Sequence, residues 1–400
     1  MEDLDDYRWL IGADAAERLA GLRTAGPPTA ALVARLRRDL SSSRVRLLLE
    51  QADLRRRAAV KFTAADRMFF APTALEQASD ETVARYKAGR FPPGEPCADL
   101  CCGIGGDLFA LAARGTAAGV ERRPAVALLA EANAAALGLA ETGAARIEVR
   151  DAADYDLRDF SAWHIDPDRR PASRRTTRVA DHEPGAAVLE RLLEQNAHAC
   201  WKLAPAAELP ELWEQTAELE WISRGGECRQ LVVWFGRLAT TAGKRRATVL
   251  LRDGCARSVV GRPGPLEAFS SPRRYLFEPD AAVLAAGLTA QLASQYQLSG
   301  IAPRIGYLTG DVPLDDAALA CFEVSDVLPL HVKRLKALLA QRGIGRVEVK
   351  KRGVDCDPAA LQKQLAGKGD REATLLIAPM GRTVTAILAR RSPSPSRTGS

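Results

Sequence analysis

Up to about residue 92 apolar residues recur at three- and four-residue spacing, the period of a helix with one buried face. DAAERLAGLR, PTAALVARLRRDL and SSSRVRLLLEQADLRRRAAVKF all carry this pattern. Pro27 and Pro28 break the first from the second, and Ser41 to Ser43 offer an N-cap to the third. AADRMFF reads as a packed aromatic turn ahead of one more amphipathic helix. FPPGEP, residues 91–96, is a Pro/Gly break. The pattern predicts an N-terminal helical region over residues 1–92.

The rhythm then changes to strand, turn, helix. CADLCC, AAGVE, ARIEVRD, SAWHID and ACWKLAP are short apolar strands, with IGGDLFALAARG, PAVALLAEANAAALGL and AAVLERLLEQNA as the helices among them. EWISRGGECRQLVVWFG and RRATVLL read as a closing antiparallel pair. Strands alternating with helices predict an α/β domain over residues 93–255, a doubly wound Rossmann-like parallel sheet covered on both faces. Residues 256–317 read as the linker GRPGPLEAFSSP and a helix, PDAAVLAAGLTAQLA. A small α+β domain is predicted over residues 318–391. It holds a helix LPLHVKRLKALLAQRG, a strand GRVEVKKRG, a helix DPAALQKQLAG and a hairpin of EATLLIAPM with TVTAILARR. The polar tail, 392–400, is expected to be disordered.

Length fits this division, since 400 residues exceed one ordinary core. Composition is that of a globular chain, 47% hydrophobic and 26% charged, with no run near the ~18 apolar residues of a membrane span. The acidic start MEDLDDYRWL lacks a signal-peptide layout, so a cytoplasmic protein is expected. Eight cysteines without CxxC spacing suit reduced, packed thiols rather than a disulfide framework or a zinc knuckle. The net charge of +6 permits an anionic partner without requiring one.

CADLCCGIGGDLFALA carries the first chemistry. A strand ends at Asp99, Gly103, Gly105 and Gly106 turn the chain, and a helix begins past Asp107. Glycine admits a ligand close to the backbone, and helix-start N–H groups favour a negative group. Glu121 closes the next strand, 22 residues beyond Asp99, where an acid accepts ribose hydroxyls in doubly wound folds. Such a loop suits a dinucleotide or S-adenosylmethionine. Asp99 at its entrance favours the latter, which carries an ammonium and a sulfonium. Asp151, ending the third strand, stands where it meets the adenine amine or simply caps the strand end.

Asp99-x-Cys101-x-Gly103-x-Gly105, Glu121 and an Asp-Pro loop after the fourth strand resemble the class I S-adenosylmethionine-dependent methyltransferases. Cys101 replaces their usual first glycine. KFTAADRMFFAPTALEQASDETVARYKAGRF with DLCCGIGGD resembles the bacterial members that carry a C-terminal THUMP-like domain, and VEVKKRGVDCDPAALQKQLAGKGDREATLLIAP resembles that domain. DLCCGIGGD is also similar to the loop of trimethylguanosine synthases, where a segment like the one bearing Phe69, Phe70 and Gln77 folds over the cofactor. The resemblance implies a cofactor set of Asp99, Cys101, Gly103, Gly105, Gly106, Asp107, Glu121, Asp151 and Phe70.

In that architecture the end of the fourth strand faces the transferable methyl. WHIDPDRRP sits there. Enzymes methylating exocyclic amines resemble one another in an (Asp/Asn)-Pro-Pro-aromatic loop, which accepts the amine's hydrogens and stacks on a flipped base. Asp166 and Pro167 match. Asp168 replaces the second proline as a reserve base, and Arg169 replaces the aromatic, offering a planar guanidinium for stacking or for a phosphate. His164 is expected to pack. Asp-Pro-x-Arg is also similar to the loop of RNA 5-methyluridine methyltransferases, but Lys202-Leu203-Ala204-Pro205 places Leu203 where their cysteine nucleophile belongs. Covalent carbon methylation is therefore rejected.

Arg174 and Arg175 are either a phosphate-tracking lid or a solvated loop. Lys333, Lys350, Lys351 and Arg352 in the C-terminal domain are either a backbone-contact surface for RNA or a solvated basic face. The expected function is methylation of a nitrogen of a base in RNA, tRNA or rRNA, by direct in-line transfer without a metal. A small-molecule or protein methyltransferase, and a non-catalytic RNA-binding protein on a vestigial fold, are the alternatives.

Overall fold

A computed structural model of the chain describes residues 3–23, 28–168, 177–179, 182–266 and 269–392. The chain divides into two compact units. One is Met1–Ala217 with Val232–Ala242, and the other is Glu218–Leu231 with Gly243–Ser400.

The first unit opens with helices α1 (Leu4–Leu10), α2 (Ala13–Leu22), α3 (Ala30–Leu36), α4 (Ser42–Ala58), α5 (Pro72–Gln77) and α6 (Glu81–Ala88). The acidic start forms α1, which Asp3 caps by accepting from Asp5 N. One departure from expectation has a local cause. The helix expected before FPPGEP is two helices, since Asp80 accepts from Thr82 N and Val83 N and so begins α6 afresh. Lys61 Nζ closes the end of α5 by donating to Leu75 O at 2.7 Å, Glu76 O at 3.1 Å and Ala78 O at 2.9 Å.

Next come β1 (Cys97–Leu100), α7 (Leu108–Ala112), β2 (Ala117–Glu121), α8 (Pro124–Ala136), β3 (Ala145–Val149), β4 (Ala162–Ile165), α9 (Ala186–Gln195), β5 (Ala199–Leu203) and α10 (Glu211–Thr216). The strands lie in the order β3-β2-β1-β4-β5, every pair parallel. β1, β2, β4 and β5 are buried along their whole length, as apolar strands covered on both faces are. The order reverses between β1 and β4, which makes their carboxyl ends a topological switch point.

The hairpin of β6 (Glu218–Arg224) and β7 (Glu227–Trp234) follows, turned by Gly225 and Gly226 at positive φ; it belongs to the second unit up to Leu231. β8 (Arg245–Leu250) pairs with β6 in parallel, and β9 (Ala256–Gly261) pairs antiparallel with β8. The expected closing antiparallel pair is thus corrected. The double glycine folds its first segment into a hairpin of its own, and the second segment aligns parallel to β6.

After β10 (Tyr275–Pro279), the helix expected in this region is two, α11 (Ala281–Ala286) and α12 (Thr289–Tyr296), broken at Gly287 with φ 70°. β11 (Ser299–Gly300), β12 (Leu308–Gly310), β13 (Leu319–Pro329), α13 (Val332–Gln341), β14 (Ile344–Lys351), α14 (Pro358–Leu365), β15 (Arg371–Met380) and β16 (Thr383–Arg391) follow. Their sheet runs β11-β12-β10-β13-β16-β15-β14. The expected hairpin is β15 with β16, and β14 lies parallel to β15. Leu328 and Pro329, expected to open a helix, instead end the long strand β13, and α13 starts after His331. Leu335 and Leu339 of α13, with Leu361 and Leu365 of α14, pack on one core with Leu375 and Leu388 of the sheet.

Candidate active site

A cleft of about 310 Å3 opens at the switch point of the first unit. Four successive strands each deliver a carboxylate to it. Asp99 stands at the end of β1, Glu121 at the end of β2, Asp151 past β3 and Asp166 past β4. Gln77, Ala78 and Ser79, from α5 and its junction with α6, form another wall. Buried Asn133 ties the stretch before α5 to the glycine loop. Its Oδ1 accepts from Phe69 N at 2.6 Å, and its Nδ2 donates to Phe69 O at 3.0 Å and Ile104 O at 3.1 Å.

The loop between β1 and α7 is shaped for close approach. Cys101, Gly103 and Gly105 all hold positive φ. A Cβ on Gly105 would lie 2.2 Å from the Phe109 ring, so only glycine fits there. A Cβ on Gly103 would meet nothing within 4 Å, and Gly103 lines the cleft. Gly103 N donates to Glu121 Oε2 at 3.2 Å. Arg123 donates to the same carboxylate from N and Nε, both at 3.0 Å to Oε1, and from Nη2 at 3.4 Å to Oε2. Asp151 Oδ1 accepts from Ala153 N at 2.8 Å, so this acid is also a cap.

Beneath the cleft lies a buried polar chain that the sequence pattern did not announce. His164 Nδ1 lies 2.6 Å from Asp99 Oδ1, and His164 Nε2 lies 3.2 Å from Lys87 Nζ. Lys87 Nζ stands 2.7 Å from Asp107 Oδ1 as an ion pair and donates to Ser79 Oγ at 3.3 Å. Ser79 Oγ donates to Asp107 Oδ2 at 2.8 Å. Burial pushes the Asp99 carboxyl above the usual range, more than its contact with His164 pulls it down. Burial acts on Asp107 likewise, but Lys87, then His164 and Lys202, hold it well below that range. His164, expected only to pack, lines the cleft and takes part in this chain.

Asp166 is held from behind. Lys202 Nζ, on β5, donates to Asp166 Oδ2 at 2.7 Å and to Gln77 O at 2.5 Å. Gln77 Nε2 donates to Asp168 Oδ1 at 3.1 Å. Asp168 also exchanges backbone hydrogen bonds with Glu183, whose side chain pairs with Arg122. Pro167 is buried between the two acids. Leu203 and Cys200 are buried within β5, which presents no thiol to the cleft. Arg169, Arg174 and Arg175 lie outside the described residues.

The structure brings Asp99, Cys101, Gly103, Gly106, Asp107, Glu121, Asp151, Asp166 and Asp168 to one cleft. It does not bring Phe70 there. That ring is buried against Phe62, and Phe70 N donates to Gln51 Oε1 at 3.1 Å. The cofactor role expected for Phe70 is corrected accordingly. Gly105 shapes the loop from behind. Lys87 and Lys202 were missed, although each carried a signal. Lys87 shares the inward face of α6 with Val83, Ala84 and Ala88. Lys202 interrupts the buried strand ACWKL. A lysine in either position needs an anion beside it.

The C-terminal cations differ among themselves. Lys350 and Arg352 are half-buried and share Glu278 of β10, at 2.8 and 3.1 Å. The basic strand surface expected there is therefore largely neutralised, by an acid distant in sequence. Lys351 donates to Cys356 O at 2.6 Å. Lys333, with Arg334 and Lys336, is exposed on α13 with no side-chain partner among the described residues.

A doubly wound sheet with a glycine loop and strand-end acids at its switch point defines an α/β enzyme of the nucleoside-cofactor class. A family model described as THUMP domain-like matches residues 319–391. An uncharacterised S-adenosylmethionine-dependent methyltransferase of Mycobacterium tuberculosis, from strains CDC 1551 and H37Rv, is 32% identical over 361 residues, covering 86% of this chain and 97% of the relative. A crystal structure from Porphyromonas gingivalis W83, of a protein classed as a methyltransferase, shares the fold with a TM-score of 0.76 at 19% identity. The match covers 95% of this chain and 98% of that one. The chain belongs to the class I S-adenosylmethionine-dependent methyltransferases and carries a THUMP-like domain. Among the described residues no helix is long and apolar enough to cross a membrane.

The residues fit S-adenosylmethionine. Asp99 Oδ2 is buried without a hydrogen-bond partner and belongs to the wall of the cleft, which suits an incoming ammonium. The open face of Gly103 leaves room for a ligand against the backbone.

Proposed function

We propose that this methyltransferase acts on a nitrogen of an RNA base, in tRNA or rRNA. The observation that carries the reading is the placement of Asp166. It sits in an Asp-Pro loop, in the same cleft as Asp99 and Glu121, with one oxygen fixed by Lys202. Oδ1 has no protein partner among the described residues. A carboxylate held in this way accepts hydrogens from an exocyclic amine and directs the nitrogen lone pair. Asp99 holds the amino-acid end of the cofactor, Glu121 the ribose and Asp151 the adenine edge. S-adenosylmethionine supplies the methyl on a sulfonium. Asp166 orients the acceptor, and catalysis is mainly positioning.

Glu121 adds a condition. Its two oxygens already receive four hydrogen bonds, about the capacity of a carboxylate. Ribose hydroxyls bind there by displacing the Arg123 guanidinium. RNA as substrate is supported by the THUMP domain-like match and by the free cations of α13. The test is incorporation of labelled methyl from S-adenosylmethionine into total cellular RNA, with and without nuclease treatment. Label that vanishes with nuclease supports the reading. Label that persists, on protein or on a small molecule, sinks it. Nucleoside mass spectrometry of a deletion strain then identifies the missing methylated species.

A further inference from the structure

Within the buried chain of Ser79, Lys87, Asp107, His164 and Asp99, Lys87 is the member that does not line the cleft. Lys87 is 1% exposed. A buried ion pair is weak as a source of stability, because apolar side chains of similar volume often serve as well. Its geometry explains it better. Lysine only donates, so His164 Nε2 must accept from Lys87 Nζ, and the ring proton must sit on Nδ1. That proton is donated to Asp99 Oδ1 at 2.6 Å, a charge-assisted distance. The hydrogen bonds thus run one way, from the lysine through a neutral imidazole to the aspartate.

The charges do not balance. Two carboxylates, Asp99 and Asp107, face one ammonium, and the ion pair engages Asp107. Asp99 is left one positive charge short, with Oδ2 unpartnered at the cleft wall. We propose that Lys87, acting through the fixed tautomer of His164, is a positioning residue that sets Asp99 to select ligands bearing an ammonium group. This rests on Asp99 holding the amino-acid end of the cofactor. Lys87 touches neither cofactor nor substrate. Without it His164 is free to turn or to exchange tautomers, and Asp99 Oδ1 then loses its donor.

The test is calorimetric binding of two ligands to the whole chain. S-adenosylhomocysteine carries the ammonium, whereas methylthioadenosine lacks the entire amino-acid arm. The natural protein is expected to prefer the first. In Lys87→Met that preference is expected to fall by about tenfold, the order of one charge-assisted hydrogen bond, with methylthioadenosine affinity unchanged. Lys87→Met with Asp107→Asn removes both charges of the ion pair together, so Asp107 is not left as an unpaired buried carboxylate if the single variant fails to fold. A natural protein without preference overturns the placement of the amino-acid end at Asp99. A natural preference that survives in the folded variants overturns the role of Lys87 and leaves that placement standing. Equal loss of both ligands makes Lys87 merely structural and overturns the proposal.

Discussion

The cleft of the first unit and strand β14 of the second both gather charged side chains, and they treat them differently. In the cleft, buried cations meet a larger number of acids, and the remainder is negative and localised at Asp99 and Asp166. At the end of β14, Lys350 and Arg352 both lean on Glu278, with Glu348 also near Lys350, and neither is left fully free. Lys333, Arg334 and Lys336 of α13, by contrast, are exposed with no side-chain partner among the described residues. Binding chemistry is thus set by what remains after local pairing. A count of charged residues along the chain does not reveal it, since paired surface and half-buried charges contribute little to a ligand.

The contrast breaks most directly at Asp166. Asp166→Ala removes the acceptor while leaving the glycine loop and Glu121 intact. Methyl transfer is expected to fall about a thousandfold, with S-adenosylhomocysteine affinity within about twofold of the natural protein. Kinetics on bulk RNA, paired with calorimetry, measures the split. Equal losses in both would place Asp166 in cofactor binding and remove its catalytic assignment.

Asp99 gives the next largest effect. Asp99→Asn is expected to weaken S-adenosylhomocysteine by about 30-fold, ~2 kcal/mol, as expected for a lost hydrogen bond to a charged group. The pH dependence has a definite sign. Burial raises the Asp99 pKa in the free protein against the pull of His164, while Asp107 adds to the rise and Lys87 opposes it. A bound ammonium lowers it again. Binding therefore releases a proton between the two values, and affinity declines as pH falls through the raised one. Calorimetry in buffers of different ionisation enthalpy should detect that proton, and Asp99→Asn should abolish it.

Much of the first unit was legible because its signals are local. A glycine loop after a short strand and an acid closing the next strand each depend on a few neighbouring residues. Legibility faltered where one distant residue decides. Glu278 lies more than seventy residues from Lys350, and nothing near β14 announces it. Phe70 shared an aromatic segment with Phe69, yet Gln51 and Phe62 draw it into the helical core. Lys87 and Lys202 gain their roles only through the fold, which buries them on an inward helix face and within a closed strand, against Asp107 and Asp166. The double turn of Gly225 and Gly226 was visible, but its consequence was not, because a parallel neighbour for β6 depends on a connection through β7.

The C-terminal side of the contrast sharpens with two charge-removal sets. Lys333→Gln with Lys336→Gln is expected to weaken RNA binding by several-fold and to reduce the salt slope by roughly 0.7–0.9 for each phosphate no longer neutralised. Lys350→Gln with Arg352→Gln is expected to lower the melting temperature, because Glu278 is left partly buried and unpaired, with a smaller change in salt slope. The reverse ranking would return the RNA surface to β14.

The smallest expected effect falls on Arg123. Its guanidinium occupies acceptor positions on Glu121 that ribose hydroxyls need. Glu121 is 4% exposed, so water cannot readily replace a lost partner, and the two donors compete directly. Arg123→Ala removes the competitor but leaves the backbone bonds from Gly103 and residue 123 in place. Methylthioadenosine, which keeps the ribose, is then expected to bind about two- to threefold more tightly, a fraction of one hydrogen bond because the freed acceptor was already satisfied. A loss of affinity instead would mean that Arg123 contacts the ligand itself. The guanidinium would then be part of the site, and Glu121 would be the group that holds it there.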